Sequence, residues 1–166
     1  TIDSSNVNSD GVVYIVGYEE QGEMDGYLRV SLSNVTVVAG TALMIEKDTR
    51  VTLTDSVILG EPGNVITIRS TGAGNGRLSL NNSTMEYANV KLALPFTTNS
   101  NSKVDRSDLS FNGDGQHLYG LTQNSFIASS SYWYNSGTID HSYYSGNYFY
   151  NRKTIRSSYL GSTSEV

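Results

Sequence analysis

The fold is decided by the segment VTLTDSVI, residues 51–58, in which apolar and polar side chains alternate ahead of a turn at Gly60. Alternation with a period of two and a high content of β-branched residues are typical of a half-buried β-strand. The segment has two close echoes, VSLSNVTV at 30–37 and LSLNNSTM at 78–85. The sequence therefore predicts a repeat protein.

The repeat extends along the chain as an aliphatic residue followed three positions later by Ser, Thr or Asn. The aliphatic positions are Ile2, Val30, Val51, Leu78, Val104, Leu121, Ile139 and Ile155. The polar positions are Ser5, Ser33, Thr54, Asn81, Ser107, Asn124, Ser142 and Ser158. Units of about 16–28 residues built from short strands are typical of a β-solenoid, because one unit can bury its apolar side only against its neighbours. We expect the aliphatic column to be buried on parallel strands one coil apart, and the polar column to form turns or an inward ladder.

The pattern divides the chain into coils of a parallel β-helix at 1–120 and short, aromatic-rich coils at 121–166. Seven of the twelve tyrosines lie at or after Tyr132, and the motif YWYN at 132–135 returns as YFYN at 148–151. A unit of 16 residues is expected to be too short to close three faces around a core of its own. Three interpretations remain: the short coils cap the solenoid, three chains intertwine and share a core, or the aromatic stripe is an exposed sugar-stacking platform. The predicted interface or glycan-binding residues are Tyr132, Trp133, Tyr134, Tyr148 and Tyr150.

Composition excludes several classes of function. The net charge is −5 and no Lys/Arg cluster is present to neutralise phosphates, so nucleic acid is not an expected partner. No apolar run of about 18 residues is present, so membrane insertion is not expected. The chain has no cysteine, which excludes disulfides and thiolate metal sites.

Oxygen-rich segments occur at 19–25 and around Asp105, Asp108, Asn112 and Asp114. Neither has the fixed ligand spacing of a calcium loop, so no metal and no cofactor is predicted. Pro95 and the polar run at 97–102 are interpreted as an outward loop.

The segment at 51–58 and its echoes resemble the right-handed parallel β-helix proteins, and among them the phage tail spikes and tail fibres. The shortening of the units towards the C-terminus is similar to spikes whose single-chain helix gives way to an intertwined trimeric segment. The resemblance implies an all-β, single-chain solenoid on a virion surface or outside the cell. It also implies a homotrimer that contacts cell-surface polysaccharide.

Catalysis is not assigned to any residue. Asp55 and Asp108 fall in one column of the repeat frame with Asn82 between them, which would place them roughly 9–10 Å apart, near the separation of an inverting carboxylate pair. Asn6 and Asn34 share that column, which favours a turn position instead. His117 and His141 form no triad by spacing and are expected to be surface or turn residues.

Three functions are therefore compared. The leading one is a structural and receptor-binding segment of a tail spike, tail fibre or surface adhesin. The second is a polysaccharide-degrading glycosidase or lyase. The third is a subunit that assembles into a filament or surface layer by stacking solenoid ends.

Overall fold

The computed structural model of the protein describes residues 2–3, 6–7, 12–15 and 28–161. Within these ranges the chain forms twenty-two short strands and no helix. In this described part, therefore, no helical segment has the length and apolarity needed to cross a membrane. The strands are, in chain order, β1 (Ile2–Asp3), β2 (Asn6–Val7), β3 (Val12–Ile15), β4 (Leu28–Ser33), β5 (Thr36–Val38), β6 (Ala42–Ile45), β7 (Thr49–Thr54), β8 (Val57–Leu59), β9 (Ile66–Ser70), β10 (Arg77–Asn81), β11 (Thr84–Glu86), β12 (Ala88–Leu92), β13 (Phe96–Thr98), β14 (Lys103–Asp105), β15 (Asp108–Phe111), β16 (Gln116–Leu118), β17 (Leu121–Gln123), β18 (Phe126–Asn135), β19 (Thr138–Asp140), β20 (Tyr143–Asn151), β21 (Thr154–Arg156) and β22 (Tyr159–Gly161).

The strands form three parallel ladders, which we call faces 1, 2 and 3, and each coil visits them in that order. Face 1 contains β1, β4, β7, β10, β13 and β16, and continues through the C-terminal halves of β18 and β20. Face 2 contains β2, β5, β8, β11, β14, β17, β19 and β21. Face 3 contains β3, β6, β9, β12 and β15, continues through the N-terminal halves of β18 and β20, and ends at β22. The predicted parallel β-solenoid is confirmed, with about seven turns.

Period-two alternation produces the core. In β7, Val51 and Leu53 point inward and are buried, whereas Thr52 and Thr54 on the same strand are half-buried and point outward. Val51 is in register with Leu78, and Leu53 with Leu80. Stacking of equivalent side chains gives every coil apolar neighbours above and below, so the core is a continuous column.

The predicted aliphatic column is partly wrong. Val51, Leu78 and Val104 are buried and Val30 is half-buried, but Val104 does not stack on Leu78. Leu78 is followed on face 1 by Phe96, while Val104 lies on face 2 between Met85 and Thr122. The template passed from face 1 to face 2 because it missed the strand β13, which lies in the same coil as Val104. The inward residues of β13, Phe96 and Thr98, lie in the region predicted as an outward loop.

Two ladders of inward serines bond successive coils at the corners, and the predicted polar column accounts for only part of them. Ser107, Ser142 and Ser158 of that column belong to the second ladder, whereas Thr54 and Asn81 point outward and belong to neither. At the corner between faces 1 and 2, the Ser56 N–H donates to Ser83 Oγ at 3.1 Å and the Ser83 N–H donates to Ser102 Oγ at 3.2 Å. Each hydroxyl in turn donates to a nearby carbonyl, as Ser83 Oγ does to Asn81 O at 2.8 Å. The corner between faces 2 and 3 repeats the pattern. Its ladder consists of Ser107, Ser125, Ser142 and Ser158.

The residue before most corner serines adopts a left-handed backbone. At the first corner Asp55 and Asn82 have φ of 50° and 51°, which short Asx side chains tolerate. At the second corner Arg106 and His141 adopt φ of 46° and 44°. A left-handed residue followed by an inward serine is therefore the repeated unit that turns the chain.

The short C-terminal coils close three faces within a single chain, so the expectation that 16 residues are too few is wrong. In β18 the chain passes from face 3 to face 1 within one ten-residue strand, bending where its register with β20 shifts between Ser129 and Tyr132. The corner between these two faces therefore contains no loop residues. At another corner Gly137 lies so close to the coil before it that a Cβ would meet the Gly120 carbonyl oxygen at 2.0 Å. The ladders run unbroken past residue 120.

Candidate ligand-binding face

The acid pair considered for catalysis is not assembled. Asp55 lies at the corner between faces 1 and 2, where the Asn82 amide donates to its Oδ1. Asp108 begins β15 on face 3, in register with Asn89 and Phe126. The predicted common column for the two aspartates is therefore wrong, whereas the turn interpretation of Asp55 is confirmed by its backbone.

Asp105 is the most enclosed carboxylate among the described residues, and it is held as an anion. Lys103 Nζ lies 2.9 Å from its Oδ2, and the amides of Gln123 and Asn124 donate to its two oxygens at 2.9 Å. Burial alone would raise the pKa of Asp105, but these hydrogen bonds and the Lys103 charge outweigh it and lower the pKa to about 2. Such a group cannot serve as a general acid near neutral pH.

Asp114, another acidic residue of this oxygen-rich segment, is exposed and accepts a hydrogen bond from the Ser131 hydroxyl. Over the described ranges, no three acidic or histidine side chains are grouped so that they could hold a metal ion. The acidic segment at 19–25 lies outside the described residues.

The predicted aromatic residues divide by strand alternation. Tyr132 and Tyr148 are exposed on the outside of face 1 and stack with ring centroids 4.6 Å apart, and Tyr134 and Tyr150 stack beside them at 5.1 Å. Trp133 points inward and is fully buried. Its prediction as an interface or glycan-binding residue is therefore wrong, because the middle residue of a Tyr-Trp-Tyr strand must face the opposite side.

Face 1 carries two outward columns whose chemistry changes along the solenoid. The first begins with Arg29, Arg50 and Arg77, which are in register on β4, β7 and β10. The second is polar at one end and aromatic at the other. Its members are Ser31, Thr52, Ser79, Thr97, His117, Tyr134 and Tyr150.

An open groove of about 740 Å³ lies over the middle of face 1. Its walls include Arg77, Ser79, Thr97, His117 and Tyr119. A second groove of about 230 Å³ shares Arg77 and Ser79 with it and extends to Arg29 and Arg50. Beyond His117 the outward tyrosines of β18 and β20 continue the same face, and we call the surface from Arg29 to the Tyr132–Tyr148 stack the face 1 groove.

His117 joins the polar and aromatic parts of the groove. Its ring stacks on Tyr134 with centroids 4.6 Å apart, and its Nδ1 lies 3.4 Å from the Tyr119 hydroxyl. Burial lowers the pKa of His117, and the positive charges of Arg152 and Arg77 lower it further. The groove is thus electropositive around His117. The other histidine, His141, is exposed at a corner as predicted.

The arginine column was missed, although the sequence contains its signal. The segments RVSLS at 29–33, RVTLT at 50–54 and RLSLN at 77–81 repeat an arginine, an inward aliphatic residue and an outward hydroxyl. A frame that begins at the aliphatic residue omits the arginine before it. A second outward aromatic ladder, Phe126–Tyr143–Tyr159 on face 3, was also missed, and its rings stack at 5.2 and 5.0 Å.

A scan against protein-family models, a search of curated proteins and a search of solved structures found no match for this chain.

Proposed function

We propose that the protein is a binding solenoid that contacts cell-surface polysaccharide through the face 1 groove, as a segment of an extracellular or virion-surface spike, fibre or adhesin. The observation that carries the proposal is the composition of the groove. Hydroxyl side chains are stacked in register along it, and the exposed Tyr132–Tyr148 stack, with the half-buried Tyr134–Tyr150 stack beside it, continues it at one end.

This composition suits a sugar chain. Outward hydroxyls can exchange hydrogen bonds with sugar hydroxyls, and aromatic faces can contact the apolar C–H surface of a pyranose ring. Neighbouring strands are about 4.8 Å apart, which is close to the length of one pyranose residue. A polysaccharide lying along the solenoid axis would therefore meet equivalent side chains at each successive sugar.

A homotrimer remains part of the proposal, although coil length no longer supports it. The support that remains is the exposed ladder on face 3, where Phe126, Tyr143 and Tyr159 are 42%, 40% and 62% exposed. Aromatic side chains of this kind are enriched at protein–protein interfaces. The native mass in solution tests this part: a trimer supports it, a monomer removes it, and an open-ended series of masses supports the filament alternative.

The enzymatic alternative depended on Asp55 and Asp108. Asp55 lies at the corner between faces 1 and 2 and Asp108 on face 3, and this separation removes that support. A depolymerase of the glycosidase or lyase class is therefore not favoured by any observation in the described part of the chain.

The experiment compares exposed tyrosines on two faces. Polysaccharide binding is measured by affinity electrophoresis for the wild type, for Tyr132→Ala with Tyr148→Ala, and for the control Tyr14→Ala, an exposed tyrosine on face 3 that lies outside the proposed interface. We expect the face 1 variant to lose about tenfold or more in affinity, which corresponds to about 1.4 kcal/mol, and the face 3 control to bind like the wild type. An equal loss in both variants, or no binding by the wild type, would contradict the proposal.

A further inference from the structure

We infer that the ligand of the face 1 groove is an acidic polysaccharide, whose carboxylate or sulfate groups are held at Arg77. The inference rests on the proposed function and adds the chemical class of its ligand.

The first argument is the distribution of charge. Although the chain has a net charge of −5, none of the described residues that line the 740 Å³ groove or the adjoining 230 Å³ groove is acidic. Ion pairs between described residues lie on face 2, where Glu86, Asp105 and Asp140 contact Lys103, Arg106 and Arg156. The groove is thus a cationic strip on an acidic protein, and such a strip selects anions.

The second argument is the position of Arg77. It lies where the two parts of the groove meet, and it is exposed. Within the described ranges no carboxylate lies within ion-pair distance of its guanidinium. Arg50, the residue below it in the column, donates from Nε to the Asn75 carbonyl at 3.3 Å. Arg77 is therefore available to bind an incoming anion.

The third argument is what surrounds Arg77. Ser79 and Thr97 follow it along the groove, and their hydroxyls are bonded to each other at 3.0 Å. Beyond them, Arg152 lies over the Tyr134 ring at 5.6 Å, next to His117. A guanidinium binds carboxylate or sulfate through two parallel N–H donors, and the adjacent hydroxyls can bind the sugar that carries the anion. Arg152 offers a second positive charge to a later sugar of the same chain.

The test measures binding of the full chain to polygalacturonate, dextran sulfate and neutral dextran of matched length. The variants are Arg77→Gln and the control Lys91→Gln, which removes the same charge from an exposed side chain on face 3. We expect the wild type to bind at least one acidic polymer about tenfold more tightly than dextran, and the affinity to fall between about 50 and 200 mM salt. Arg77→Gln should lose most of that preference, and Lys91→Gln should keep it.

The outcomes separate the two proposals. Binding to polygalacturonate alone identifies carboxylate as the recognised group, binding to dextran sulfate alone identifies sulfate, and both results support the inference. Equal binding of dextran and the acidic polymers, sensitive to Tyr132→Ala with Tyr148→Ala but not to Arg77→Gln, overturns the inference and leaves the proposed function standing. Equal losses in Arg77→Gln and Lys91→Gln, or equally tight binding of duplex DNA, also overturn it, because the attraction would then be nonspecific. No binding to any polysaccharide overturns both proposals.

Discussion

The coils of β7 to β12 and the coils after β17 both enclose a buried apolar core, but they build it from different numbers and types of side chains. In the first region, corner serines are 27 residues apart, and the core is aliphatic, with Ile58, Ile66, Ile68 and Leu78 all buried. In the second region the corner serines are only 16 residues apart. There the core contains Trp133, Tyr144 and Phe149, which stack on one another with centroids 4.7 to 5.0 Å apart.

The difference shows how a solenoid can shorten its coil without opening its core. A short coil has fewer inward positions, so each inward side chain must occupy more volume to keep native packing density. Aromatic rings also stack favourably when equivalent positions repeat in the next coil. The corners, in contrast, use the same serine chemistry in both regions. The core therefore adapts to coil length, while the corner does not.

The largest expected effect is on the aromatic core. Trp133→Ala should lower the free energy of unfolding by about 3–5 kcal/mol, because it removes a fully buried ring and leaves a cavity between Tyr144 and Phe149. Urea unfolding followed by circular dichroism measures the change. The neighbouring Tyr132→Ala, which removes an exposed ring, serves as the control and should cost far less. Equal costs for the two variants would show that Trp133 does not lie in a packed core.

A smaller loss of stability is expected when a side chain of the aliphatic core is truncated. Val51→Ala should cost about 1–3 kcal/mol, because Val51 is buried between Val30 and Leu78 but contributes less volume than an aromatic ring. The matched control is Thr52→Ala, one position along the same strand and pointing outward. A cost for Val51→Ala as large as that of Trp133→Ala would contradict the dependence on volume per side chain.

Removing the hydroxyl of a corner serine should lower the stability by a similar amount in the two regions. Ser83→Ala and Ser142→Ala each remove a buried hydroxyl that accepts a backbone N–H, from Ser56 at 3.1 Å and from Ser125 at 3.2 Å. Leaving that N–H without an acceptor should cost about 1–2 kcal/mol in either variant. Thermal unfolding checks this, with the exposed Ser100→Ala as control. A cost in only one region would mean that the two serine ladders are not equivalent.

The smallest expected change in stability is that of Asp105→Asn, and it depends on pH. Because the pKa of Asp105 is lowered from 3.8 to about 2 in the folded protein, its ionised form contributes stability above pH 3.8 and loses it as the pH falls towards 2. With solvent screening at Lys103 taken into account, we expect Asp105→Asn to cost about 1 kcal/mol at neutral pH. Unfolding curves at several pH values should show the difference from wild type shrinking towards pH 2. A difference that stays constant with pH would contradict an ionic role for Asp105.

The sequence was sufficient for the parallel solenoid, because three near-identical strands cannot bury their apolar sides except by stacking. The sequence was not sufficient to predict the register, that is, which residues stack on one another in successive coils. A strand of three residues, such as β13, contributes only two inward side chains, Phe96 and Thr98, and this alternation is too brief to be detected. Stacking on the coils at each side decides such positions. For the same reason the template could not show that Val104 belongs to face 2.

The candidate site was predictable in part. The recurring Tyr-x-Tyr motif correctly indicated an outward aromatic surface, but which of its residues points inward depends on the face that each strand joins. The arginine column could have been identified, since Arg29, Arg50 and Arg77 precede equivalent strand positions. The contact between His117 and Tyr134 could not have been identified from the sequence, because it depends on the pairing of β16 with the second half of β18.

The central claim is that one chain closes its short C-terminal coils around a core of its own. Trp133 is the chain's single tryptophan, so its fluorescence reports on that core directly. The measurement is acrylamide quenching of the tryptophan emission, made on protein diluted until its sedimentation shows monomers alone. We predict a blue-shifted emission with little quenching in the monomer, because the ring is enclosed by Tyr144 and Phe149 of the same chain. Emission from a solvent-exposed tryptophan in the monomer, which becomes protected only when chains associate, would contradict the claim and indicate a core shared between chains.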